Sequence, residues 1–226
     1  MMESNKLDNP VWYSLNETHE SKSIDYDGVK FYIPDYCPFG GFTNIDKTAN
    51  CLDEYSNFAT NFYVVGNQPK FNKSLILHKE LVCNQMVLEN VIKIDMNEEI
   101  VELHIKHKDE LFELVNLVQP GYFKSKTSEL GLYYGIYKDN QLVAVTGERM
   151  KMNSFTEVSA VVTHPKYTGK GLAKNLVAHI TFQIFSQNRI PYLHVAETNI
   201  GAISLYKKLG FVTRRKISFW NFIQPH

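Results

Sequence analysis

Downstream of residue 95, blocks of apolar and polar positions change period at glycine- and proline-bearing turns. Residues 99–105 alternate loosely enough for a strand, and Leu111, Leu114, Val115 and Val118 fall at helical spacing over 109–118, with Pro120 just beyond to stop the helix. Residues 132–137 and 142–147 flank Asp139, Asn140 and Gln141, a compact hairpin signal. Residues 155–163 form a third antiparallel candidate, ended by Pro165. After Gly169 comes the clearest element: Leu172, Leu176, Ile180 and Ile184 recur every four residues, with Ala173, Val177 and Phe185 beside them. Such a broad apolar stripe suits a helix packed on a sheet. Residues 192–196 read as a short buried strand. Thr198 or Asn199 can then cap a helix whose inward face is Ala202, Ile203, Tyr206 and Leu209, stopped at Gly210. Residues 217–222 give a last strand. The expected fold class is α+β, with a mixed sheet and one parallel pair around the glycine turn.

Residues 1–95 carry a weaker pattern. Residues 27–33, 61–65 and 74–81 read as strands and 52–59 as a short helix, while Pro34, Pro38, Gly40 and Gly41 mark a loop between the first strand and that helix. The expected organisation is a smaller α+β region over 1–95 followed by a second domain over 96–226.

Composition narrows the class. The chain has 226 residues and a formal net charge of +0, from 24 basic and 24 acidic side chains, so no electrostatic bias favours a nucleic-acid partner. Aromatic residues make up 13%, which favours a substantial core. No apolar run approaches the ~20 residues of a membrane span, and residues 1–10 lack the apolar core of a signal peptide. Cys37, Cys51 and Cys83 are far apart and outside any C-x-x-C pattern, as expected of reduced thiols in a cytoplasmic protein.

The chemistry concentrates at the glycine turn. A strand that feeds a helix start presents amides without intrahelical partners at the positive end of the helix dipole, a natural phosphate site. Gly169 and Gly171 allow close backbone approach, and Lys170 and Lys174 add positive charge. Neither the Walker-type spacing nor the dinucleotide fingerprint fits these residues. The segment Thr168-Gly-Lys-Gly-Leu-Ala173 instead resembles the pyrophosphate loop [QR]-x-x-G-x-[GA] of the GCN5-related N-acetyltransferases. Gly171 and Ala173 stand at the two small positions and Thr168 where Gln or Arg is usual. Downstream, Asn199 followed by Ala202, Leu205, Tyr206, Leu209, Gly210 and Phe211 is similar to the second half of the same superfamily. The segments Pro120-Gly-Tyr-Phe, Gly147-Glu-Arg-Met and Thr156-Glu-Val-Ser-Ala-Val-Val-Thr-His-Pro resemble its FR47-like branch.

The resemblance implies this acyl-CoA N-acyltransferase fold in the C-terminal part, and a smaller N-terminal region that is a candidate degenerate copy of it. It also implies acetyl-CoA as co-substrate, no metal, and direct attack by a primary amine of a small molecule or peptide. Thr168, Gly169, Lys170, Gly171, Leu172 and Ala173 would hold the pyrophosphate. Val161, Val162 and Thr163 would pair with pantetheine as an open strand edge, one of their amides facing the thioester oxygen. Asn199 and Ala202 would line the same cofactor. Tyr206 is the expected acid toward the leaving thiolate; its bland alternative is a core aromatic. Glu157 is the expected base, working through water after burial raises its pKa, and Glu148 is the reserve. His164 more plainly caps a turn, His194 reads as a core histidine, and His104 with His107 has only loose metal spacing. The rival readings are a non-catalytic acyl-CoA sensor and a tandem-domain aminoacyl-type transferase.

Overall fold

The computed structural model describes residues 4–91, 94 and 97–225, so the expected boundary between residues 95 and 96 lies outside the described residues. The helices are α1 (Pro10–Asn16), α2 (Thr48–Ser56), α3 (Lys108–Val118), α4 (Leu172–Ser186) and α5 (Ile200–Lys208). The strands are β1 (Ser23–Asp25), β2 (Val29–Tyr32), β3 (Phe39–Phe42), β4 (Asn61–Val65), β5 (Ile76–Val87) and β6 (Val101–Leu103), followed by β7 (Tyr133–Lys138), β8 (Gln141–Lys151), β9 (Phe155–Thr163), β10 (Ile190–Ala196) and β11 (Val212–Ile223). All eleven strands join one mixed sheet, in the order β1-β2-β3-β4-β11-β5-β10-β9-β8-β7-β6.

That order reads nearly the same from either end. At its centre β5 and β11, each of 12 residues, pair antiparallel along their length. Outside them lie two parallel pairs, β3 with β4 and β9 with β10, and each pair is connected through a helix, α2 or α4. Antiparallel strands complete both arms. Because β5 hydrogen-bonds to both β10 and β11, residues 76–87 are built into the middle of the C-terminal arm.

The two faces of that arm carry separate cores. Leu172, Leu176, Val177, Ile180 and Ile184 of α4 pack on Tyr134, Ile136, Val143, Ala144, Val158 and Leu193. Leu111, Leu114 and Val115 of α3 pack on Tyr133, Leu142, Val145 and Val162. β8 serves both cores, giving Val143 and Ala144 to the first and Leu142 and Val145 to the second. In the other arm, Phe31, Leu52, Tyr55, Phe62 and Phe222 form a third core, with Phe31 stacked on Tyr55 at 4.0 Å between ring centroids.

Several expectations need correction. Residues 39–42, expected as loop, form β3 and pair with β2 and β4. Gly40 is there because the Phe31 ring occupies the place of a side chain; a Cβ would lie 2.3 Å from it. β5 runs six residues past the expected end at 81, β8 four past 147, and β11 starts five before 217. The first two extensions are masked by polar residues, and the start of β11 by the basic run Arg214, Arg215, Lys216. The hairpin turn stands as expected: Asp139 and Asn140 adopt φ of +51° and +61°, the left-handed pair that suits the twist of a tight hairpin.

Candidate active site

β9 and β10 pair only through Phe155 with Ile190, Thr156 with Pro191 and Glu157 with Tyr192. Beyond Glu157 the strands diverge. Ala160 adopts φ of +49°, an unfavourable conformation for a residue with a Cβ, within a bulge between Ser159 opposite Gly147 and Val162 opposite Val145. The gap becomes a cleft of ≈ 180 Å³. Val158 to Val161 line one side and His194 to Ala196 the other; Asn199, Ala202 and Tyr206 of α5 also line it, and Phe39, Tyr122, Phe123 and Phe219 form aromatic walls.

Tyr206 is 7% exposed, and burial pushes its pKa up to about 12. Its hydroxyl makes no hydrogen bond among the described residues, and it lines the cleft. Asn199 accepts from the Ala202 amide at 3.1 Å and so caps α5 while lining the cleft. Val161 is on the wall, whereas Val162 packs into the core under α3, and Thr163 pairs with Ala144 at the end of β9.

The glycine turn stands at the start of α4, apart from the cleft lining. Gly169 and Gly171 adopt φ of +78° and +80°, where an L side chain is strained, and nothing lies within 4 Å of the place a Cβ would take. Gly171 is the N-cap and no side chain caps α4. The first amides of this helix therefore face open space. Thr168 turns its hydroxyl to the Pro165 carbonyl at 3.1 Å, Lys170 lies over the Tyr167 ring at 4.9 Å, Ala173 is half-buried and Leu172 is buried in the core.

Glu157 occupies a different chemical setting from the one expected. Its carboxylate accepts from Arg149 Nε at 2.7 Å and Nη2 at 2.8 Å, and pairs with His194 Nδ1 at 2.8 Å. Burial alone would raise its pKa, but Arg149 and His194 outweigh burial and hold it at about 2. The expected upward shift is therefore reversed: this is a saturated anion, poorly suited to collect a proton at neutral pH.

The state of His194 follows from its neighbours. Gln85 Oε1 accepts from Arg214 Nη1 at 3.0 Å, which orients the amide, and Nε2 donates to the Leu7 carbonyl at 2.7 Å. The same Nε2 meets His194 Nε2 at 3.1 Å, so His194 accepts there and carries its proton on Nδ1, toward Glu157. Both nitrogens of His194 are thus occupied. Glu148, the reserve base, is fully buried, bonded to Lys151 and the Leu132 amide, and outside the cleft lining. His164 accepts from the Lys166 amide at 3.3 Å, a turn cap as expected.

Arg149 was not singled out by sequence reasoning. Its guanidinium stands 4.7 Å over the Phe39 ring and reaches the cleft wall. No spacing in the sequence marks Arg149; the irregular pairing between Glu148 opposite Val158 and Lys151 opposite Thr156 is what sets it across from Glu157. Among the described residues, no group of three or more His, Cys, Asp and Glu side chains could hold a metal ion, and no helix is long and apolar enough to cross a membrane.

Comparison with known proteins agrees with this architecture. Residues 133–220 match the family model described as FR47-like protein. A protein from Novosphingobium aromaticivorans assigned to the GNAT acetyltransferases is similar in structure, with a TM-score of 0.90, 29% identity, and coverage of 97% of this chain and 99% of that one. A GCN5-related N-acetyltransferase from Kribbella flavida shares the fold at a TM-score of 0.66 and 13% identity, over 100% of this chain and 97% of the other. A GCN5-related N-acetyltransferase-like protein from Streptococcus suis does so at 0.62 and 13%, over 95% and 93%. No curated protein sequence matches significantly.

Proposed function

We propose that this chain, which belongs to the GCN5-related N-acetyltransferase superfamily in its FR47-like branch, is an acetyl-CoA-dependent N-acetyltransferase acting on a primary amine in a ternary complex. The observation that carries the reading is the divergence of β9 from β10 beside an uncapped, glycine-opened start of α4. The residues fit the co-substrate. Amides from Gly169 to Ala173 would hold the pyrophosphate, with Lys170 and the Thr168 backbone at its edge. Val161, Val162 and Thr163 would lie along pantetheine, Asn199 and Ala202 on its other side, and the bulge at Ala160 would aim an amide at the thioester oxygen. Acetyl-CoA supplies an activated acyl carbon.

In the reaction the acceptor's ammonium first gives a proton to water in the open cleft. Its nitrogen then bonds to the acyl carbon, and the carbon–sulfur bond breaks. Tyr206 hands its proton to the departing sulfur and regains one, through solvent, from the newly acylated nitrogen. The net change releases one proton. In this scheme Glu157 is a positioning residue that fixes Arg149 and His194, and it replaces the general-base role expected of it. The mirrored strand order supports two related halves, a degenerate GNAT-like one and a catalytic one. However, β5 of residues 1–95 sits with the C-terminal arm and β11 of residues 96–226 sits beside β4, so the arms do not follow the division into 1–95 and 96–226. That division is one of sequence; the sheet itself is continuous across it.

Titration calorimetry with acetyl-CoA and thiol release with amine acceptors test the reading in wild type and Tyr206→Phe. Binding by both proteins with turnover slowed ~10²-fold or more in the variant is expected. Binding without turnover across broad amine panels would favour the sensor, and no binding would remove acetyl-CoA from the account.

A further inference from the structure

We infer that the acceptor is an amino acid, an amine and a carboxylate on one small molecule, and that Arg149 receives its carboxylate. This rests on the acetyltransferase reading above. A guanidinium presents five N–H donors in a planar fork. Glu157 takes the side edge, Nε and Nη2, at 2.7 and 2.8 Å. The end edge, Nη1 with the second N–H of Nη2, is left over and matches a second carboxylate in bidentate fashion. Nη1 has no hydrogen-bond partner among the described residues, and it is not among the buried atoms sealed off without one. Arg149 itself lines the cleft where an acceptor must sit.

The surroundings support the same class. Among the described residues the cleft lining holds no aspartate or glutamate, so a polyamine would find no carboxylate from them there. Glu157 itself is 1% exposed, with both oxygens engaged. Its charge orients Arg149 from behind and offers nothing to a cation in front. Stacking on Phe39 removes a further degree of freedom from the guanidinium. Phe39, Tyr122, Phe123 and Phe219 then offer apolar surface to an uncharged amino-acid side chain, and Tyr206 shares the cleft with Arg149, as an amine near the thioester requires.

The test compares ligands that differ only at the carboxylate. Acetylation of phenylalanine and other uncharged amino acids is measured against that of their carboxamides, with acetyl-CoA binding recorded alongside. The free acids should show kcat/KM at least ten-fold higher, and Arg149→Lys, which keeps a cation beside Glu157 but loses the fork, should erase the preference. Equal turnover of acids and amides, or acetyl-CoA binding with no amino acid acetylated, would overturn the proposal. Calorimetry with N-acetylphenylalanine and N-acetylphenylalaninamide, without CoA, separates this proposal from the acetyltransferase reading. Tighter binding of the acid, lost in Arg149→Lys, supports the carboxylate site even if acetyl-CoA fails to bind. Indifference to the carboxylate sinks it even if acetyl-CoA binds.

Discussion

Glu157 and His19 are buried titratable groups whose pKa values are both driven down, by different causes. For His19, burial is the largest effect, and it lowers the pKa to about 4. Its Nε2–H donates to the Leu130 carbonyl at 2.9 Å, leaving Nδ1 to accept from the Ser14 and Tyr32 hydroxyls. A histidine kept neutral on folding contributes stability above its unfolded pKa near 6.5, and loses it as pH falls toward 4. Between pH 7 and 5 this amounts to about 2 kcal/mol, and denaturant melts should show His19→Gln flattening that slope. The loss from Glu157 comes lower: its stabilisation is complete above pH 4.5 and fades as pH falls toward 2. Glu157→Gln breaks a buried ion pair, with an expected cost of about 3 kcal/mol in urea unfolding. The folded fraction should keep the wild-type shape of its pH–rate profile; loss of an acidic limb would restore the base role. Much of this site was legible because Tyr206, Asn199 and the glycine turn belong to a motif with fixed spacing. The Arg149–Glu157 pair was not, since a lone Arg inside a strand has no sequence spacing to betray its cross-strand partner.

At the scale of elements, one substitution meets two kinds of physics. Gly171→Ala would place a Cβ in open space, so its cost is backbone strain at φ +80°, about 1–2 kcal/mol. Its larger effect should appear as roughly ten-fold weaker acetyl-CoA binding by calorimetry, since one more unit of bulk stands where phosphate must approach. Gly40→Ala needs no unusual φ, yet its Cβ would collide with the Phe31 ring at 2.3 Å. Moving Phe31 disturbs the stack on Tyr55, so about 3 kcal/mol of stability should be lost in denaturant melts, with acetyl-CoA affinity of the folded protein unchanged. Legibility follows the same contrast. α4 and α5 were readable because each buries one periodic face, and β9 because it concentrates Phe155, Val158, Ala160, Val161 and Val162 just ahead of Pro165. β3 was not, because Phe-Gly-Gly-Phe has the composition of a turn and only the distant Phe31 makes it a strand. The second half of β5 was hidden because Asn84 and Gln85 look like loop until Arg214, His194 and Leu7 are seen to surround Gln85.

For the whole molecule, the central β5–β11 seam ties the two arms together. A fragment of residues 96–226 would lack both β4 and β5, exposing β10 as a bare edge and leaving β11 with no strand partner. Such a fragment should be unfolded or insoluble on its own, and co-expression with residues 1–95 should recover a dispersed amide spectrum. A well-folded isolated fragment would show that the seam is dispensable. Sequence alone could not reveal this, since pairing partners more than a hundred residues apart leave no local pattern.

The three cysteines bear on how activity can be watched. Cys37, Cys51 and Cys83 are unpaired and buried. Burial pushes Cys37 and Cys83 up to about 12 and raises Cys51 as well. A disulfide dye reacts with thiolate, so the native protein should be nearly silent toward it. Free CoA would then be the dominant reactive thiol in the cuvette, and colour would report product formation with little background. The same dye would develop extra equivalents only as molecules unfold, so a single reagent can count both turnover and the loss of enzyme during the assay.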